Sequence, residues 1–137
     1  MDIIHFTRGA TDPLIDCEAT GACFLPLLEG QGDSHVSCLH LHSNARISSP
    51  SPTHAAALLV VHGRITVATL DPPMRIDIHA GMGCVFDAGE PYAIESATGA
   101  IVIIVEADQL TARVRGISTP ARIAGARWPS DSVGIGA

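Results

Sequence analysis

Three side chains that could hold a metal ion alternate along one short stretch of the sequence. Cys38, His40 and His42 are separated by single residues, so on a β-strand all three would lie on the same face. Thiolate and imidazole are ligands of zinc, copper and iron, and this spacing would let them reach one ion. Leu39 and Leu41 alternate with them and could instead form the face that packs on the core, with the histidines pointing outward. The sequence leaves both interpretations open.

The elements that would position such residues are short strands separated by turn residues. From residue 74 to 79 apolar and polar residues alternate, which is the pattern of a strand with one buried face. Further strands are predicted at Ala22–Leu28, Val36–Leu41, Ala55–Val61, Arg64–Leu70, Cys84–Phe86, Tyr92–Glu95 and Ala100–Val105. Gly, Pro and Ser predict turns or loops at 29–33, 48–52, 62–63 and 71–73. This spacing, without helical patterns between the strands, favours an all-β sandwich or barrel.

Length and composition predict one domain. The chain has 137 residues, 47% of them hydrophobic but only 4% aromatic, so the core must be built from Ile, Val, Leu and Ala. We expect a barrel core at about 22–107 and a C-terminal arm at about 110–137, packed on its own barrel or on a partner. The excess of apolar residues predicts a homodimer.

Several classes of function are excluded or disfavoured. All eight basic side chains are arginine, so Schiff-base chemistry and covalent pyridoxal phosphate are excluded for want of a lysine. A net charge of −6 without a basic stripe argues against a nucleic-acid partner. The longest apolar run, Ala55 to Val61, is too short to cross a membrane. Four cysteines without a CxxC pair, and no signal-peptide pattern, predict free thiols in a cytoplasmic protein.

Two stretches resemble the conserved motifs of the cupin superfamily. Leu58 to Val67, a strand on either side of Gly63, is similar to cupin motif 1, and Gly81 to Tyr92 is similar to motif 2. The two stand in the family's order at a compatible spacing, and the resemblance covers about residues 34–107. It implies an all-β double-stranded β-helix, a jelly-roll barrel with N- and C-terminal arms.

The resemblance also implies a metal site, from which this sequence departs. Metal-binding cupins usually supply an HxH pair and a glutamate from motif 1, and a histidine from motif 2. The motif 1 glutamate falls at Ala56 and the motif 2 histidine at Tyr92. The HxH pair falls at Ser49 and Ser51, or at Pro50 and Pro52. We therefore expect no metal cofactor here.

Two residues near these positions could still carry chemistry. His54 precedes Ala56 by two residues, so on a strand both side chains would lie on the same face. We therefore expect His54 at the barrel mouth, facing Tyr92. Imidazole and phenol form a reasonable acid–base pair. The expected pocket walls are Ala56, Leu58, Val60, Phe86 and Ile94.

Three functions remain open. The first is a barrel cavity that binds a small organic ligand, as a binding module or as an isomerase, cyclase or lyase with His54 and Tyr92 transferring protons. The second is a metal-dependent, dioxygenase-like enzyme whose rearranged site of His40, His42 and His54 holds one divalent ion such as Fe, Zn, Mn or Ni. The third is a non-catalytic structural dimer whose cavity is filled by side chains.

Overall fold

A computed structural model describes residues 1–7, 25–113 and 133–134 of the chain. Within these ranges the secondary structure is all β, with nine strands and no helix. The strands are β1 (Asp2–His5), β2 (Leu28–Leu41), β3 (Ala45–Ser49), β4 (Ala55–Leu70), β5 (Pro73–His79), β6 (Met82–Phe86), β7 (Tyr92–Ser96), β8 (Ala100–Ala112) and β9 (Val133–Gly134). Most of the predicted C-terminal arm lies outside the described residues. In the described part, no helix is long and apolar enough to span a bilayer.

The strands form two groups that share β4. In the first group the order is β1-β6-β4-β8-β2, and every neighbouring pair is antiparallel. In the second group β5, β4, β7 and β3 are antiparallel neighbours, and β9 adds to β3 in parallel. β4 pairs with β6 and β8 through its first half and with β5 and β7 through its second half. One continuous strand therefore joins the two faces of the barrel.

The turn predicted at 62–63 is wrong, because β4 runs through it. The register with β8 shifts between Val60 and His62, a bulge at which the strand bends from one group into the other. Gly63 follows with a φ of 82°. A Cβ at this position would lie 2.3 Å from the carbonyl oxygen of Gly99, so only glycine fits. Gly63, the glycine of the segment that resembles cupin motif 1, therefore lies where β4 bends from one group of strands into the other.

Other boundaries also differ from the sequence prediction. The turn expected at 29–33 lies inside β2, where the register shifts between Gln31 and Ser34. β1, which was not predicted, pairs with β6 next to the barrel core. The strands predicted around 74–79, 84–86, 92–95 and 100–105 are confirmed, the last extended to Ala112.

The inner faces of the strands pack into one apolar core. Its side chains are mainly Ile, Val and Leu, as the composition requires. In β4, Leu58 and Val60 have no accessible surface, and neither do Phe86 of β6 and Ile94 of β7. The barrel interior at this level is filled by its own side chains.

Candidate functional site

Tyr92, at the family's motif 2 position, lies inside the barrel. It begins β7 and is only 1% exposed. Its ring stacks on that of Phe86, with the centroids 4.4 Å apart and the planes inclined by 12°. The motif 2 segment places both rings, because Phe86 ends β6 and the turn at 87–91 brings the chain back into β7.

The surroundings of Tyr92 keep its phenol protonated. Burial is the main cause that raises its pKa to about 12, and the negative charge of Glu106 and the nearby Cys84 act in the same direction. The hydroxyl of Ser49 hydrogen-bonds to the phenol and opposes part of this shift. Tyr92 is therefore a neutral hydrogen-bonding group at physiological pH.

The residues that the motif resemblance places at metal-ligand positions do not fit a divalent ion. Ser49 lies directly opposite Tyr92 in the β3–β7 register and is 1% exposed. Ala56 lies opposite both Phe86 and Glu106. A serine hydroxyl, a methyl group and a phenol with a raised pKa replace the imidazoles and carboxylate that such ions prefer. Among the described residues, no group of three or more His, Cys, Asp and Glu is arranged to hold a metal ion.

Polar side chains meet at this end of the barrel. His35 of β2 is directly opposite Glu106 of β8, and Glu106 is directly opposite Ala56. Directly opposed residues of antiparallel strands share a face, and Ala56 belongs to the core. His35 and Glu106 therefore face the barrel interior, Glu106 half-buried and His35 exposed. We call His35, Ser49, His54, Tyr92 and Glu106 the polar end.

His54 lies at the rim of the polar end, just before β4. Its Nδ1 is 2.9 Å from the hydroxyl of Thr53, and its Nε2 is 3.7 Å from Oδ1 of Asp108. Its ring meets that of His35 edge-on, with the centroids 6.5 Å apart. Tyr92 contacts Phe86 and Ser49 instead. The structure thus gives the predicted acid–base pair different immediate partners, and proton transfer between them stays a prediction.

The five predicted pocket residues lie in the core. Ala56 is 2% exposed, and Leu58, Val60, Phe86 and Ile94 have no exposed surface. A ligand would reach these side chains only after neighbouring groups move. Their role in a pocket stays a prediction.

Cys38 and His40 lie on the outer face of β2. Leu41 is buried and Leu39 half-buried against the core, whereas Cys38, His40 and His42 are exposed. Of the two interpretations of this stretch, the structure has the leucines facing inward. His40 and His42 are thus apart from His54, which lies with His35 and Asp108.

Sequence reasoning missed three members of the polar end. The sequence predicts a loop at Ser49 and a solvated carboxylate at a strand end for Glu106, and it predicts no role for His35. The alternation of inward and outward residues along β8 could have identified Glu106, because it continues the inward-facing series of Val102 and Ile104. His35 is likewise an even number of residues away from the inward-facing Leu39 and Leu41 of β2, so it lies on the same face of the strand.

Comparisons with known proteins identify the fold. No family model matches the sequence, and no curated protein matches it either. The structure resembles a mutant of the oxalate decarboxylase OxdC of Bacillus subtilis, with a TM-score of 0.52 and 20% identity over 56% of this chain and 22% of that chain. It resembles the polyketide cyclase RemF of Streptomyces resistomycificus, with a TM-score of 0.51 and 13% identity over 66% of each chain. It also resembles the cupin domain of Schizosaccharomyces pombe Cnp3, with a TM-score of 0.51 and 13% identity over 64% of each chain.

The chain has the cupin fold. The β-barrel, the order of the strands and the likeness to these cupin structures agree on this. The chain spans less than two thirds of the length of each of these three proteins, and the two enzymes among them are named for different activities. At such low identity the likeness concerns the fold alone.

Proposed function

We propose that the protein binds a small organic ligand at the polar end, without a resident metal ion. The convergence of polar groups at one end of an otherwise apolar barrel carries this proposal. Glu106 and His35 are directly opposite each other on the paired strands β8 and β2. The negative charge of Glu106 contributes to the raised pKa of the Tyr92 phenol. Apolar walls with a few convergent polar groups are typical of sites for small organic molecules.

The chemistry of the polar end favours a ligand that donates hydrogen bonds. Glu106 is a half-buried carboxylate, and Asp108 adds a second carboxylate beside His54. An ionised carboxylate only accepts hydrogen bonds, whereas a neutral phenol can both donate and accept. A compact molecule with an amine, amide or hydroxyl group would satisfy these partners.

A ligand would approach through the exposed rim. His35 and Asp108 are exposed and His54 is half-buried, whereas Tyr92 and Ser49 are each 1% exposed. The first contacts are therefore with the imidazoles and carboxylates, and contact with the phenol requires rim side chains to move. Proton transfer between His54 and Tyr92 would then pass through the bound ligand.

The test is a screen of small organic molecules in the presence of a chelator, read out as a rise in melting temperature. A ligand that binds the folded chain raises its stability by mass action. We expect hits on the wild type that are lost in Glu106→Gln and His35→Ala. They should persist in His79→Ala, which removes an exposed histidine of β5. Hits that survive both polar-end variants would place the ligand elsewhere and overturn the proposal.

A non-catalytic structural dimer is the second candidate, supported by the filled interior. Four of the predicted pocket residues have no accessible surface, so the core needs no ligand to be complete. This candidate predicts a homodimer and no stabilising ligand from the screen. Light scattering that gives the monomer mass of 14.2 kDa at micromolar concentration would contradict it.

A further inference from the structure

Among the described strands β2 lies at an edge, and its exposed outer face carries a cysteine and a histidine. In the described part of the chain β2 pairs with β8 alone, which leaves one side of its backbone available to another strand. Residues 29–38 and His40 are exposed, so the side chains of Cys38 and His40 are both open to solvent. A second chain can therefore approach this strand without displacing any described part of the barrel.

Cys38 and His40 have the separation of two ligands of one zinc ion. Sγ of Cys38 is 3.6 Å from Nε2 of His40. Zinc binds thiolate sulfur at about 2.3 Å and imidazole nitrogen at about 2.0–2.1 Å, so a tetrahedral angle sets sulfur and nitrogen about 3.5 Å apart. The two atoms are thus already placed to take up one ion.

The described residues of one chain supply only half of a structural zinc site. Such sites have four ligands, and the described residues contain no group of three or more His, Cys, Asp and Glu that could hold a metal. A second copy of the strand can complete the set. In antiparallel pairing of two β2 strands about a two-fold axis at Leu39, Cys38 lies opposite the partner subunit's His40. Residues two apart on a strand, and residues opposite each other, share a face, so all four ligands point to the same side.

We propose that a zinc ion binds between two copies of this chain through Cys38 and His40 of each, joining the edges of their β2 strands. Each thiol loses its proton to solvent on binding, so two protons leave for each ion bound. The two thiolate charges balance the charge of the ion, and the imidazoles bind as neutral ligands. The site lies on the outer face of β2 and is independent of the polar end.

The test is a zinc titration of reduced, chelator-stripped protein, with mass measured in parallel. We expect one zinc for every two chains, in a particle of twice the monomer mass. Cobalt in place of zinc should give thiolate-to-metal charge-transfer absorption. Zinc binding should be lost in Cys38→Ser and His40→Ala, and retained in His79→Ala.

Three results would overturn the proposal. One zinc per chain in a monomer, lost in His42→Ala, would point to a site within one chain. Zinc bound equally well by Cys38→Ser would place the ion elsewhere. Failure of the wild type to retain zinc would remove the site altogether. None of these results bears on ligand binding at the polar end, which is measured with chelator present.

Discussion

The hydroxyl of Ser49 hydrogen-bonds to the phenol of Tyr92, and each of the two residues is only 1% exposed. In the β3–β7 register they are directly opposite each other. The two side chains thus form a buried polar pair with its own hydrogen bond. We expect the burial of Tyr92 to affect how the stability of the protein responds to alkaline pH.

We expect stability to fall between about pH 10 and 12 as Tyr92 titrates. The folded state holds the pKa of Tyr92 at about 12, above the value of 10.0 for an unperturbed tyrosine. The unfolded chain therefore releases this proton first, and the stability present below about pH 10 is lost as the pH rises through the folded pKa. A difference of two pKa units corresponds to about 3 kcal/mol.

The sequence has one tyrosine, so tyrosinate absorbance reports this group directly. Tyr92→Phe should remove this part of the alkaline loss. A residual loss starting near pH 9 is expected from Cys84, because burial also raises the pKa of its thiol. A phenol that titrates near pH 10 in the folded protein would contradict the buried placement.

Gly63→Ala should destabilise the barrel far more than Gly89→Ala. Both glycines have a positive φ, 82° and 84°, and a side chain in that conformation costs roughly 1–2 kcal/mol. At Gly63 the new Cβ also meets the Gly99 carbonyl at 2.3 Å, whereas nothing lies within 4 Å at Gly89. We expect Gly63→Ala to lower the free energy of unfolding by about 3 kcal/mol or more, measured by urea unfolding. Equal losses would show that the β4 bend does not need glycine.

Phe86→Ala should cost about 3–5 kcal/mol of unfolding free energy. Its side chain has no accessible surface and supports the ring of Tyr92. Val36→Ala is the control, because Val36 is 69% exposed and its truncation should change stability by no more than about 0.5 kcal/mol. Chemical denaturation of both variants decides the comparison, and a small loss for Phe86→Ala would mean that the interior is loosely filled.

The ion pair of Arg75 with Glu95, in the second group of strands, should contribute more to the free energy of unfolding than the pair of Arg113 with Glu29 at the end of β8. Glu95 accepts contacts from Arg75 and Arg46, and its side chain is 24% exposed. Arg113 and Glu29 form a pair 3.2 Å apart whose side chains are more than half exposed. A double-mutant cycle should give a coupling of about 1 kcal/mol for Arg75 and Glu95, and close to zero for the exposed pair. Equal couplings would contradict the role of burial.

The sequence predicted most strands and the cupin fold, because alternation and two glycine-led motifs are local signals. It failed at Gly63, since a glycine between two apolar runs has the same local pattern in a hairpin turn and in a strand that bends between sheets. Only pairing with distant strands distinguishes the two.

The site was partly predictable for the same reason. Tyr92 follows from its place in motif 2. The pairing of His35 with Glu106 joins residues far apart in the chain, and their register cannot be obtained from either strand alone. The outward direction of His40 and Cys38 depends on which face of β2 meets the core, which the leucines decide only once the barrel closes.

The most direct test of a metal-free polar end is the metal content of the Cys38→Ser chain, purified without a histidine tag and incubated with iron, zinc, manganese and nickel. This variant removes the proposed surface zinc site and leaves the polar end intact. We expect far less than one metal ion per chain under every condition. About one ion per chain, lost when Tyr92 is changed to Phe or His54 to Ala, would contradict the account and restore metal chemistry to the barrel.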